Sequence, residues 1–104
     1  MEFIESPIFT KWLKANVADE EFRAFQNELV ENPEKGDLIK KTGGFRKIRI
    51  AYGGQGKRGA GRVIYYFISE KSRIHLVMGY SKNEQSNLTE AEKAILKGLA
   101  ESLE

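Results

Sequence analysis

The chain has no cysteine, one histidine (His75), two prolines and no apolar run of the length that a membrane span needs. Without cysteine there is no disulfide, no thiolate nucleophile and no zinc–thiolate site, and the chain suits a reducing compartment. A lone histidine, with acids at neither HExxH nor EF-hand spacing, gives no metal site, so none is expected. The start, Met1-Glu2-Phe3-Ile4-Glu5, has no basic stretch followed by an apolar one. It does not read as a secretory signal, and a cytoplasmic protein with no membrane partner is expected. Any catalysis therefore falls to Lys, Arg, Tyr, carboxylates or backbone amides.

What the chain has in abundance is charge, unevenly spread. Its 104 residues are 40% hydrophobic and 31% charged, the balance of one soluble domain with a single modest core. From Gly43 to Lys82 there are nine Lys/Arg and one acid, Glu70. That is +8 in a chain whose total is +2, which leaves −6 for the flanks. A cationic middle between acidic flanks points to a polyanion, RNA or DNA, on one face of the molecule.

Periodicity predicts the order β-α-α-β-β-β-α. Phe3-Ile4 is a short edge strand. Ile8, Phe9, Trp12 and Leu13 form one helical stripe behind Pro7, which suits a first turn. Asp19 opens a second helix, as N-cap or first-turn acid, with Phe22, Phe25, Leu29 and Val30 as its stripe and an end near Asn32-Pro33. The segment from Glu34 to Gly44 reads as irregular. Phe45 to Tyr52 alternates Ile48, Ile50 and Tyr52 with Lys47 and Arg49. Gly53 to Gly61 is a loop, Arg62 to Ser69 a strand, and a turn at Glu70-Lys71-Ser72 leads into Arg73 to Tyr80. Leu88-Thr89-Glu90 opens a final helix with Asn87 as its cap and Leu88, Ala91, Ile95, Leu99 and Leu103 as its stripe. The fold class is α+β: an antiparallel sheet of three to four strands, two N-terminal helices and one C-terminal helix. The helices cover one sheet face, and the other, beginning at Lys47 and Arg49, stays open and basic.

The glycine-rich loop carries Lys57 and Arg58, and lets backbone amides and two cations approach a phosphate. It is not a Walker A loop, since Arg58 stands where Ser or Thr is required, and no helix follows for a dinucleotide fingerprint. Arg62 opens the next strand, where its guanidinium can fork two hydrogen bonds onto a phosphate. In an antiparallel hairpin Arg62 neighbours residues 80–82, which brings Lys82 close to it and makes Lys82 a candidate proton carrier. Tyr80, near a strand end, can stack on a base. His75, mid-strand and without a visible carboxylate or serine partner, reads as structural.

Four segments, Gly43-Gly44-Phe45-Arg46-Lys47-Ile48-Arg49, Gly56-Lys57-Arg58-Gly59, Arg62-Val63-Ile64-Tyr65-Tyr66-Phe67 and Tyr80-Ser81-Lys82-Asn83-Glu84, occur in this order and spacing. Together they resemble the HigB-type toxins of the RelE/ParE superfamily of toxin–antitoxin systems, over nearly the whole chain. The resemblance implies a compact α+β fold with a concave sheet, no cofactor, and a ribosome-dependent endoribonuclease that cuts translated mRNA in the ribosomal A site. It implies a HigA-like antitoxin with a helix-turn-helix domain, through which alone the complex meets operator DNA. On this resemblance Arg62 would stabilise the phosphorane, and Lys57 and Lys82 would transfer protons or stabilise charge. Lys47, Arg49 and Arg58 would hold RNA backbone, and Asn83 a base or phosphate. Several relatives have an arginine near Asn83 and a late tyrosine around Thr89, or a histidine–glutamate pair; this sequence has none of these. Two alternatives stand beside the nuclease: a ParE-like poison of DNA gyrase, and a non-catalytic basic nucleic-acid-binding module. The cluster of Lys57, Arg62 and Lys82 favours the nuclease.

Overall fold

The computed structural model describes residues 1–53, 61–82 and 87–104. The elements are β1 (Glu2–Glu5), α1 (Pro7–Asn16), α2 (Asp19–Glu31), β2 (Asp37–Leu38), β3 (Arg46–Ile50), β4 (Gly61–Ile68), a 3-10 turn (Ser69–Lys71), β5 (Arg73–Ser81) and α3 (Glu90–Leu103). They confirm the α+β class and correct its details. Among the described residues the sheet has five strands in the order β1-β5-β4-β3-β2, and it is mixed, because β1 runs parallel to β5. The stretch after α2, read as irregular, contributes β2, which pairs with Lys47 and Arg46 only.

Helix ends follow local chemistry. Ser6 caps α1 by accepting from the Phe9 amide at 3.0 Å, with Pro7 in the first turn. Asp19, Glu20 and Glu21 fill the first turn of α2, where carboxylates suit the helix dipole, and Glu21 Oε1 accepts from the Ala18 amide at 2.9 Å. The cap of α3 is Thr89 rather than Asn87: its hydroxyl accepts from the Glu92 amide while the Glu92 carboxylate accepts from the Thr89 amide.

Helices cover both sheet faces, another departure from the expectation. On one face, Phe9, Leu13, Phe25 and Leu29 of α1 and α2 pack on Ile48, Ile50, Val63, Tyr65, Ile74 and Leu76. On the other, Leu96 and Ala100 of α3 pack on Phe45, Ile64, Tyr66 and Ile68, so the basic face is open only where α3 stops short. Each fully buried large apolar side chain here contributes roughly 1.5–3 kcal/mol. The buried stripe of α3 is turned from the predicted one, since Leu96 is buried and Ile95 is 71% exposed. Ile8 and Val30, expected in the N-terminal stripes, also lie in solvent.

Two local devices shape the end of the sheet that matters below. The β4–β5 register shifts between Ile64 and Tyr65, leaving Val77 as an extra residue in β5. The bulge reverses the alternation: Ile74 and Leu76 face α1 and α2, whereas Tyr80 joins the core beneath α3. Ser6 pins it, its hydroxyl donating to the Val77 carbonyl at 2.6 Å. Beyond the bulge, Gly79 lets the Trp12 ring lie on the strand; a Cβ there would overlap Trp12 Cε3.

Candidate nucleic-acid interface

The cations of the central segment do not form one patch. Lys71 and Arg73 stand at the far end of β4–β5, and Arg73 Nε is held by Glu2 at 2.8 Å. Arg46 is structural: its Nη1 donates to the Glu34 and Gly36 carbonyls at 3.0 and 2.7 Å, and Nη2 lies 3.6 Å from Glu34 Oε2. Tyr65 secures the same turn by donating to the Pro33 carbonyl and accepting from the Gly36 amide, both at 2.9 Å. Burial raises the Tyr65 pKa, so this phenol stays protonated and keeps its donor.

The remaining cations gather at the other end. Arg49 is directly opposite Arg62, and Arg62 directly opposite Tyr80, so the three form a row across β3, β4 and β5 on the face that carries α3. Lys47 stands two residues along β3 on that face, roughly 7 Å from Arg49. Lys82 follows Ser81, which pairs with Gly61, and is exposed. The hairpin thus brings Arg62 and residues 80–82 together, as its register predicts. Among the described residues Lys47, Arg49, Arg62 and Lys82 make no ion pair. Among the described residues, Arg62 Nη1 donates to the Gly61 carbonyl, at 3.2 Å. Like charges directly opposed on neighbouring strands are destabilising. Asp37 stands across the strands from Lys47 and Glu28 lines the same cleft, but neither forms a described ion pair with these four cations.

Two clefts border this row. The larger, about 510 Å³, runs along the edge of β3 past the end of β2 and is lined by Lys47, Arg49 and Arg62 together with Lys35, Glu28 and Asp37, the last directly opposite Lys47 in the sheet. The smaller, about 220 Å³, lies between β2, the end of β5 and the start of α3, and shares Lys47 with the first. Lys35, Lys40 and Lys93 also line these clefts, Lys35 paired with Glu28 at 2.8 Å and Lys93 with Glu90 at 3.2 Å. Charge counting missed them because all three lie in the acidic flanks.

Tyr80, expected to stack on bases, is only 6% exposed; its ring belongs to the second core and lines the smaller cleft. Burial raises its pKa and nearby Arg62 opposes that rise. His75 stands opposite Tyr66 at the Lys71 end of the sheet, away from the Arg62 row. Burial, then Arg73, lowers its pKa. Lys57, Arg58 and Asn83 lie outside the described residues.

The family model described as "RelE toxin of RelE / RelB toxin-antitoxin system" matches residues 1–104. The chain belongs to the RelE toxin family. Solved structures agree in fold. The isolated E. coli RelE toxin superposes with a TM-score of 0.59 at 14% identity, covering 94% of this chain and 97% of that one. An E. coli RelE mutant in the free state, with two arginines changed to alanine, gives 0.57 at 13% identity over 96% and 95%. For this RelE-family toxin, membership brings an antitoxin as partner. None of its described helices is long and apolar enough to cross a membrane.

Proposed function

We propose that this RelE-family toxin is a ribosome-dependent endoribonuclease of the HigB type, which cuts translated mRNA in the ribosomal A site and so halts translation. The observation that carries the reading is the row of opposed cations on the open part of the sheet, Arg49 against Arg62 with Lys47 beside them, none held in an ion pair among the described residues. Such a row fits a phosphodiester backbone. A gyrase poison has no need of phosphate-facing cations on the sheet.

In this reading the RNA 2′-oxygen attacks the adjacent phosphorus, the bond to the 5′-oxygen breaks, and the products carry a 2′,3′-cyclic phosphate and a 5′-hydroxyl. One proton leaves the 2′-hydroxyl and one reaches the departing 5′-oxygen. Arg62 faces the phosphorane, where two negative charges develop on non-bridging oxygens, and its fixed charge counts most at that point. Lys82, at the end of β5, and Lys57 are the candidates for proton transfer. Lys47, Arg49 and Arg58 hold the flanking backbone, and Asn83 a base or phosphate. The partner in this reading is a HigA-like antitoxin whose helix-turn-helix domain makes the operator contact, and the toxin acts in the cytoplasm.

The test is in vitro translation with purified toxin, followed by primer extension on the message with and without ribosomes. Cuts on translated mRNA alone, at A-site codons and lost in Arg62→Ala, support the reading. Intact message overturns it, and an Arg62→Ala protein as active as wild type overturns the assignment of Arg62.

A further inference from the structure

The larger cleft holds one group that the phosphate chemistry above leaves unused. Of the acids near it, Glu28 is held by Lys35 at 2.8 Å and Glu34 lies 3.6 Å from Arg46. Asp37 lines the cleft together with Lys47, Arg49 and Arg62. It is exposed and stands in no ion pair among the described residues.

Its place is fixed through the backbone. The Gly36 amide, one residue before it, donates to the Tyr65 hydroxyl at 2.9 Å, and the Gly36 carbonyl accepts from Arg46 Nη1 at 2.7 Å. A Cβ at Gly36 would lie 2.8 Å from Tyr65 Cε1 and 2.9 Å from the Lys47 carbonyl, so the chain is pressed onto the sheet at this point. β2 then runs for two residues and sets Asp37 directly opposite Lys47. Opposed residues share a sheet face, so Asp37 stands on the face of the arginine row, diagonal to Arg49 at roughly 7–8 Å.

The reaction above needs one group to take a proton from the 2′-hydroxyl and another to give one to the 5′-oxygen. An ammonium group suits the second task, since it carries the proton to give and must lose it before it can accept another. An ionised carboxylate only accepts. Asp37 is a carboxylate that shares a cleft with Arg62 and is not tied up in an ion pair there among the described residues.

We propose that Asp37 is the general base of the RNA cleavage, its carboxylate accepting the proton of the attacking 2′-hydroxyl while Arg62 holds the phosphate. The inference rests on the endoribonuclease reading and deepens it. The 2′-O–H bond breaks with its proton passing to an Asp37 oxygen, and the 2′-oxygen bonds to phosphorus. The bond from phosphorus to the 5′-oxygen breaks, and that oxygen takes a proton from the ammonium of Lys82 or Lys57. Asp37 then releases its proton to water and the lysine regains one, which restores both groups.

The experiment uses ribosomes programmed with a synthetic message and full-length toxin at saturating concentration, in single turnovers. The 5′-bridging atom of the mapped scissile phosphate is oxygen in one message and sulfur in the other. A sulfur leaving group needs no proton, so loss of the acid is masked on it and loss of the base is not. Asp37→Asn, nearly isosteric and at an exposed position, is expected to cut both messages about a hundredfold more slowly than wild type. It should bind ribosomes carrying a message with a 2′-O-methyl group at the scissile nucleotide as tightly as wild type does. A wild-type rate in Asp37→Asn, or a loss of binding as large as the loss of rate, overturns the assignment and leaves the endoribonuclease reading standing. So does a defect that disappears on the sulfur message, since Asp37 would then act at the leaving group. If wild-type toxin cuts neither message, the endoribonuclease reading falls and the inference with it.

Discussion

Arg49→Gln separates what the opposed arginines do to the fold from what they do for a ligand. Residues directly opposite on antiparallel strands have Cβ atoms about 4.5–5.5 Å apart, and Arg49 stands so against Arg62. Two like charges roughly 6 Å apart in water repel by about 0.7 kcal/mol. Counterions weaken this, while the half-buried setting of Arg62 strengthens it. Glutamine keeps part of the aliphatic stem and removes the charge, so Arg49→Gln should raise the unfolding free energy by about 0.5 kcal/mol at low ionic strength. At 1 M salt, where the Debye length is about 3 Å, the gain should vanish. Arg49→Lys keeps the charge and should change stability little in either buffer. Binding of single-stranded RNA should move the other way. Arg49→Gln neutralises one phosphate fewer, so the slope of log affinity against log salt should fall by about 0.7. Urea unfolding followed by circular dichroism at two salt concentrations, with fluorescence anisotropy of a labelled RNA, reads both effects. An Arg49→Gln protein less stable at both salt concentrations, with an unchanged salt slope, would refute the reasoning, because Arg49 would then be a packing residue.

Gly79→Ala should destabilise by about 1–3 kcal/mol in urea unfolding, because the added Cβ runs into the Trp12 ring; in a Trp12→Leu background most of that loss should disappear, and a full-sized loss there would mean that the indole is not the obstacle. Ser6→Ala removes both the α1 cap and the hydrogen bond to the bulge carbonyl, so a loss of about 1–2 kcal/mol is expected, and an unchanged urea midpoint would contradict it. Burial, and then its hydrogen bond to the Glu104 carboxylate at 2.8 Å, push the Tyr66 pKa up to about 12. The folded state therefore favours the neutral phenol, so this stabilisation is complete below pH 10 and is lost as the pH rises from 10 to 12. Tyrosinate absorbance with circular dichroism should show a higher alkaline unfolding midpoint in Tyr66→Phe relative to its own stability at pH 7; the same pH dependence as wild type would count against the shift.

Helices and strands were legible because each rests on a short-range signal. Pro7, the acids after Ala18 and the β-branched and aromatic residues of β4 act within a few residues, and these elements stand where periodicity places them. What was not legible depends on neighbours distant in sequence. Parallel pairing of β1 with β5 joins segments some seventy residues apart, and nothing in Phe3-Ile4 states the direction of its partner. The stripe of α3 admitted two readings, since Ile95 and Leu96 are adjacent and both apolar. Only the crowding of Phe45 and Tyr66 beneath the helix selects Leu96. Strand alternation likewise places Tyr80 with Ile74 and Leu76; one inserted residue at Val77, fixed by the distant Ser6, sends it to the opposite face.

The same distinction governs the site. A net charge is a property of composition, but whether a cation is available to a ligand depends on which acids the fold brings to it. Arg46 and Arg73 lie inside the cationic segment and are engaged by Glu34 and Glu2 from the acidic flanks. Lys40 and Lys93 lie in those flanks and line a cleft beside the cationic row, Lys93 held by Glu90 at 3.2 Å. Arg49 and Arg62 are the informative pair, because the strand register imposes their proximity and neither is in an ion pair among the described residues. A Glu at one of the two positions would turn the repulsion into an attractive cross-strand pair. If Arg49→Gln stabilises the free toxin as expected, the two arginines are held together at a cost that a bound anion would offset, and the RNA reading then has a salt-dependent signature in the unliganded protein.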